Sequence, residues 1–99
     1  MVYKIIFEPI ADVDLNEAAD WYEIQKEGLG ANFIDNFYDS IILLPINPRI
    51  FGKRYKNVRA LTMRNFPYNI FYFIKFRSVH IIAVTHQKRN PNIWKKRRK

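Results

Sequence analysis

The residues best suited to chemistry lie in the second half of the chain. His80 and His86 are its two histidines, and it has no cysteine. Histidine titrates near neutrality and serves as a general acid or base. His86 stands beside Gln87-Lys88-Arg89, at the end of an apolar stretch. His86 and Arg89 are therefore the candidate catalytic residues; the competing reading is a strand-end histidine that only hydrogen-bonds. His80 follows a turn and is expected to be solvated. Neither histidine has a second histidine or an acid near it in sequence, which takes away the usual spacing of a metal site. Without cysteine there is neither a thiolate ligand nor a disulfide. The three glycines form no phosphate loop. No Ser, Cys or carboxylate constellation points to nucleophilic or glycosidic chemistry. The sequence calls for no metal and no cofactor.

Charge is the second signal. Residues 1–44 hold only two of the 17 Lys and Arg residues, Lys4 and Lys26, together with all nine acids. Residues 45–99 hold every other cation and no acid, and the whole chain carries +8. Solubility needs net charge but not this segregation. It implies a basic face for a polyanion, either nucleic acid or an acidic protein segment. The bland alternative is that the halves neutralise each other, which still leaves the surplus. Arg49, Lys53, Arg54, Lys56, Arg59, Arg64, Lys88 and Arg89 are interleaved with Phe51, Tyr55, Tyr68 and Trp94. Cations fix phosphates and flat rings stack on bases. Trp94 is the candidate exposed ring, and the aromatics from Phe66 to Phe76 are expected in the core. The basic tail, Lys95–Lys99, reads as a solvated, mobile end.

These residues need a scaffold. At 99 residues, 48% hydrophobic and 26% charged, the chain reads as a single domain, 1–99, and not as a disordered one. No apolar run approaches the roughly 18–20 residues of a membrane span, and the N-terminus turns acidic too soon for a signal peptide, so no membrane partner and a cytoplasmic location are expected. Residues 2–7 (VYKIIF) predict a short strand, and Pro9 suits the first turn of a helix. Leu15, Ala18, Ala19 and Tyr22 recur at helical spacing over 11–25, with Asp20, Glu23 and Glu27 on another face. Gly28-Leu29-Gly30 breaks that helix. Phe33, Phe37, Ile41 and Leu44 mark a second helix, stopped by Pro45. A basic loop spans 46–57. The period then changes to two, predicting strands over 58–63, 68–76 and 79–86 in an antiparallel meander. The strand over 68–76 is apolar on both faces and should be central. The expected fold is α+β, β-α-α-β-β-β, with a helical hairpin on an antiparallel sheet. Arg59, Asn69, Lys75 and His86 are expected on the face away from the helices, though a one-residue slip would reverse this.

A set of segments falls in a recognisable order: Ala11-Asp12 through Trp21-Tyr22-Glu23, Gly28-Leu29-Gly30 with Phe33, Asn47-Pro48, Val58-Arg59, Phe66-Pro67-Tyr68 with Ile70 and Tyr72, and His86-Gln87-Lys88-Arg89-Asn90-Pro91 with Trp94. Together they resemble the RelE/ParE superfamily of bacterial type II toxin–antitoxin toxins, over nearly the whole chain. The resemblance implies the same fold and a cognate antitoxin that wraps the toxin. Its target would be met through Arg59, Arg64, Tyr68, Lys88, Arg89 and Trp94, and its antitoxin through Trp21, Tyr22, Phe33 and Phe37. RelE-like members cut messenger RNA on the ribosome using basic side chains on the sheet, whereas ParE-like members lack that set and poison DNA gyrase. Where RelE-like members commonly carry an arginine and lysines, this chain has Asn69, Ala60 and Thr62. The resemblance therefore leans toward the ParE-like branch. An mRNA endoribonuclease is the alternative, and a degenerate toxin or plain nucleic-acid binder is a third reading.

Overall fold

The structure is a computed structural model that describes residues 2–97. Strand β1, Lys4–Phe7, ends where Glu8 leads into Pro9, the first residue of helix α1, Pro9–Gln25. Proline is harmless there because the first helical N–H has no intrahelical acceptor. Ala11, Leu15, Ala18 and Ala19 form the buried face of α1. Helix α2, Leu29–Ser40, returns alongside it after a tight turn. The two glycines of that turn have different tasks. Gly28 takes φ +87°, which a side chain would strain. Gly30 brings the helices together: a Cβ there would lie 2.6 Å from the Ala19 carbonyl oxygen. The Glu23 carboxylate accepts hydrogen bonds from the Gly28 and Gly30 N–H groups at 3.0 Å, satisfying free donors at the start of α2.

Four more strands follow: β2, Lys53–Tyr55; β3, Val58–Thr62; β4, Tyr68–Lys75; and β5, Ser78–His86. A short helix α3, Asn92–Lys95, closes the described chain. The sheet order is β1-β5-β4-β3-β2, so β4 is central as expected. The helical hairpin and the β3-β4-β5 meander are as the periodicity predicts, except that α2 ends at Ser40 and the chain runs on in turns past Ile41 and Leu44. Two features are added. The basic loop contributes β2 at one edge, a strand of Lys-Arg-Tyr with no apolar alternation to announce it. At the other edge β1 lies parallel to β5, making the sheet mixed rather than antiparallel. Periodicity identifies a strand but not its partner.

Both faces of the sheet are covered. Ile70, Tyr72, Val79, Ile81 and Val84 meet Phe33, Phe37 and the α1 alanines on one side. Val58, Ala60, Phe71, Ile82 and Ala83 meet Trp94 on the other. A bulge decides which residues go where. Phe71 pairs with Ala83 and Tyr72 with Ile81, leaving Ile82 as the extra residue of β5. One extra residue inverts the alternation beyond it. Ile82 and Ala83 therefore share a face, and Val84 and His86 turn toward the helices. His86 is thus not on the far face, where an unbroken strand would have put it. Arg59 also lies on the helix-side face, between Val58 and Ala60, which point the other way.

Tyr72 is wholly buried, and its hydroxyl donates to the Pro48 carbonyl at 2.6 Å. Burial pushes its phenol up to about 12, opposed by the Arg59 charge. An acid whose folded pKa is raised stabilises fully below its unfolded value, near 10, and loses that contribution as pH rises toward 12. Stability should therefore fall between about pH 10 and pH 12, by about 2 to 3 kcal/mol at full extent. Urea titrations across that range check this, and Tyr72→Phe should flatten the dependence.

Candidate functional site

Tyr68 opens β4 and His86 closes β5, and the two residues are opposite each other in the ladder. Their rings meet edge to face at 5.3 Å. Tyr22 of α1 packs against Tyr68, Phe66 and Phe33, with centroids 6.0, 4.9 and 5.2 Å away. Trp21 stands edge-on to Tyr22 and is 55% exposed. Between α1 and the end of β5 lies a shallow pocket of about 180 Å³, lined by Asp14, Glu17, Trp21, Tyr68, His86 and Arg89 among others. Burial raises the Tyr68 phenol, the neighbouring Tyr22 adds to this and the Arg89 charge opposes it, so Tyr68 is a neutral donor near pH 7.

The His86 ring is oriented by its own turn. The Lys88 backbone N–H donates to Nδ1 at 3.1 Å, so the neutral ring carries its proton on Nε2. The Gln87 N–H donates to the Pro67 carbonyl at 2.9 Å, tying the His86 turn to the Tyr68 turn. The site can therefore offer a fixed imidazole, a phenol and a guanidinium to one ligand, with two carboxylates opposite. Among the described residues, no group of three or more His, Asp or Glu could hold a metal ion.

Tyr68, His86, Lys88 and Arg89 come together at this end, with Trp21 and Tyr22 beside them. Arg64 is at the same end, but in a separate notch with Asp39, Phe51 and Thr62. Arg59 is at the opposite end, where it donates to the Phe51 carbonyl at 2.7 Å and holds the 49–51 loop. Three expectations are overturned by burial. Trp94 is not an exposed ring: it is 6% exposed and stacked on Phe71, with centroids 4.0 Å apart. Phe33 and Phe37 are wholly buried between α2 and the sheet, so neither is available to a partner. His80 is not solvated; its Nδ1 is 3.0 Å from Glu8 Oε1, and its ring stacks on Phe73.

The tail is also corrected. Lys95 lies over the Tyr55 and Trp94 rings. Arg97 is paired with Asp14, both largely buried. The last two residues of the basic tail lie outside the described residues. Asp14 is a residue that the sequence pattern gives no role. Its one local signal was that 14 falls beside Ala11, Leu15 and Ala18 on the helix.

A family model described as the ParE toxin of the type II toxin–antitoxin system, parDE, matches residues 5–91. The chain belongs to the ParE toxin family. No curated protein sequence matches it. Its fold is similar to that of a chain in the chromosomal ParDE toxin–antitoxin system of P. aeruginosa. That likeness has a TM-score of 0.74 and 17% identity, over 86% of this chain and 96% of the other. It is also similar to a mutant of the E. coli toxin RelE in the free state. There the TM-score is 0.59 at 15% identity, over 89% of this chain and 86% of the other. As a ParE-family toxin it implies a cognate antitoxin. Among the described residues no helix is long and apolar enough to cross a membrane.

Proposed function

We propose that this ParE-family chain is a cytoplasmic toxin that inhibits growth by binding a macromolecular target, with DNA gyrase the candidate, and not by cutting messenger RNA. One observation carries this reading. The positions where RelE-like enzymes carry cations are neutral here and occupied by other contacts. Ala60 is buried beneath Trp94, and the Thr62 hydroxyl lies 2.8 Å from Asn69 Oδ1. None of the three can brace a charged phosphorane. The target would meet the Tyr68–His86–Arg89 end. Primer extension on ribosome-bound message, run beside a gyrase supercoiling assay, tests this. Inhibited supercoiling with intact message supports it.

The ribonuclease reading rests on a different observation: His86, Tyr68 and Arg89 converge on one pocket. Codon-positioned cuts that vanish in His86→Ala, with supercoiling untouched, would establish it instead.

The antitoxin would lie along the outside of α1. Ile10, Val13, Trp21 and Ile24 are exposed at spacings that place them on one stripe. Phe33 acts from below, stacked on Tyr22 and holding it in place, while Phe37 is core against Phe7. An acidic antitoxin should associate more slowly as salt rises, since charges are screened over roughly 8–10 Å, while the apolar stripe keeps its grip. Trp21→Ala should weaken the complex by about 30-fold or more, as truncating a central aromatic anchor does. Surface plasmon resonance at two salt concentrations measures both effects. Unchanged binding by the Trp21 variant would move the antitoxin off this stripe.

A further inference from the structure

The cations of the second half do not form one face. His86, Lys88, Arg89 and Arg64 gather at the end already described. The other end holds the two tight turns joining β2 to β3 and β4 to β5. Arg59 pairs with Tyr72 and Lys75 with Ser78, so Lys56-Asn57 and Phe76-Arg77 lie at the same end of the sheet. Beside them is a notch of about 140 Å³ lined by Arg49, Lys53, Asn57, Arg59 and Ile74. Three of these side chains are cations and none is an acid.

The guanidiniums are held by uncharged partners. Arg59 donates to the Phe51 and Arg49 carbonyls at 2.7 and 3.3 Å. Arg49 donates to the Tyr3 hydroxyl at 2.8 Å. These contacts fix position without neutralising charge, and an arginine has five N–H donors, so donors remain. The ion pairs among the described residues are His80–Glu8 and Arg97–Asp14, neither of them in this notch. Like charges gathered without a carboxylate repel one another, and an anion between them relieves that repulsion.

The neighbouring turn adds a second feature. Phe76 is 88% exposed and adopts φ +55°, a left-handed backbone unusual for a bulky residue. Lys75 and Arg77, both exposed, flank it. A bare ring between two cations is the arrangement that stacks a base while its backbone is held.

We infer that this end of the sheet binds a single-stranded nucleic acid, seating a backbone phosphate in the Arg49–Lys53–Arg59 notch and stacking a base on Phe76. An acidic peptide fits less well, because Ile74 is the one apolar side chain the notch offers it. The surface shares no residue with the Tyr68–His86 pocket, so it stands whichever target that pocket serves.

The test is fluorescence anisotropy of a labelled oligothymidylate of about ten nucleotides with the full chain, between about 50 and 200 mM salt. Binding should weaken with salt, log K falling by about 0.7 per phosphate contact for each unit of log salt. Arg49→Gln and Lys53→Gln should each lower that slope by about 0.7. Phe76→Ala should weaken binding by about tenfold and leave the slope unchanged. Arg59 is left intact because it also holds the 49–51 loop. The three substituted side chains are exposed, and thermal melts check that each variant is folded. Measurements repeated in an Arg89→Gln background separate this end from the other. Binding that none of the three substitutions alters would overturn the inference. So would a polyglutamate peptide that binds more tightly than the oligonucleotide and is lost in Lys53→Gln.

Discussion

Asp14→Ala should cost about 2–4 kcal/mol of folding stability. The reason lies at the edge of the sheet. Strand β1 pairs with β5 only through Ile81, so among the described residues the last half of β5 runs on without a neighbouring strand on that side. Two side chains stand in for one. The Asp14 carboxylate accepts the Val84 N–H at 3.0 Å, and the Arg97 guanidinium donates to the Ile82 carbonyl at 3.0 Å. Asp14 and Arg97 are also paired with each other. Alanine at 14 takes the acceptor from the Val84 N–H and the counter-charge from a largely buried guanidinium, which keeps only the Ile82 carbonyl, and stranding such groups costs more than the net worth of their bonds. At about 4–8 °C per kcal/mol for a domain of this size, the midpoint should drop by about 8–32 °C. Arg97→Ala should do less, since the Asp14–Val84 bond survives. The double variant should be less unstable than the sum of the singles. A drop under about 2 °C for Asp14→Ala would show that the edge does not depend on this pair. A consequence follows for the basic tail. Truncation that removes Arg97 unplugs β5, so its effect on toxicity must be read beside a melting curve, whereas Arg89→Ala and Arg64→Ala change exposed charges and should leave stability within about 0.5 kcal/mol.

The second large effect is catalytic. The purified chain should cut ribosome-bound message at least about 10²–10³-fold more slowly than a RelE-like enzyme. Hydroxyl attack on a phosphodiester builds negative charge on the phosphoryl oxygens, and fixed cations lower that barrier because they are in place beforehand. Here Thr62 and Asn69 face each other across β3 and β4 on the face away from the helices. His86 is on the helix-side face, among Trp21, Tyr68 and Arg89. The bulge at Ile82 therefore separates the histidine from the positions where the missing cations would stand. Proton transfer by one positioned group is worth about 10²–10⁴-fold and does not replace that charge. Substituting His86 should change target binding while leaving message intact. Rapid cuts by the unmodified protein that disappear in His86→Ala would reverse the assignment.

What the sequence determined alone is what short-range pattern can carry. Apolar spacing of 3.6 and then of two set the helical hairpin and the meander, and Gly28-Leu29-Gly30 marked the turn between them. The apolar richness of 68–76 put β4 at the centre. The segregation of charge pointed to polyanion or acidic partners. Tertiary structure decided the rest, because the deciding contacts join residues far apart in the chain. Glu8 meets His80 and Asp14 meets Arg97, so neither histidine environment nor the fate of the tail could be read locally. Trp94 reads from sequence as an exposed ring and Phe33 as an antitoxin contact, and packing shows both to be core. The cations formed one block in sequence and two clusters in space, because antiparallel strands send successive turns to opposite ends of a sheet. The facing of His86 turned on a single inserted residue in β5, and a period of two has no way to announce one extra residue whose only trace is the register of its partner strand.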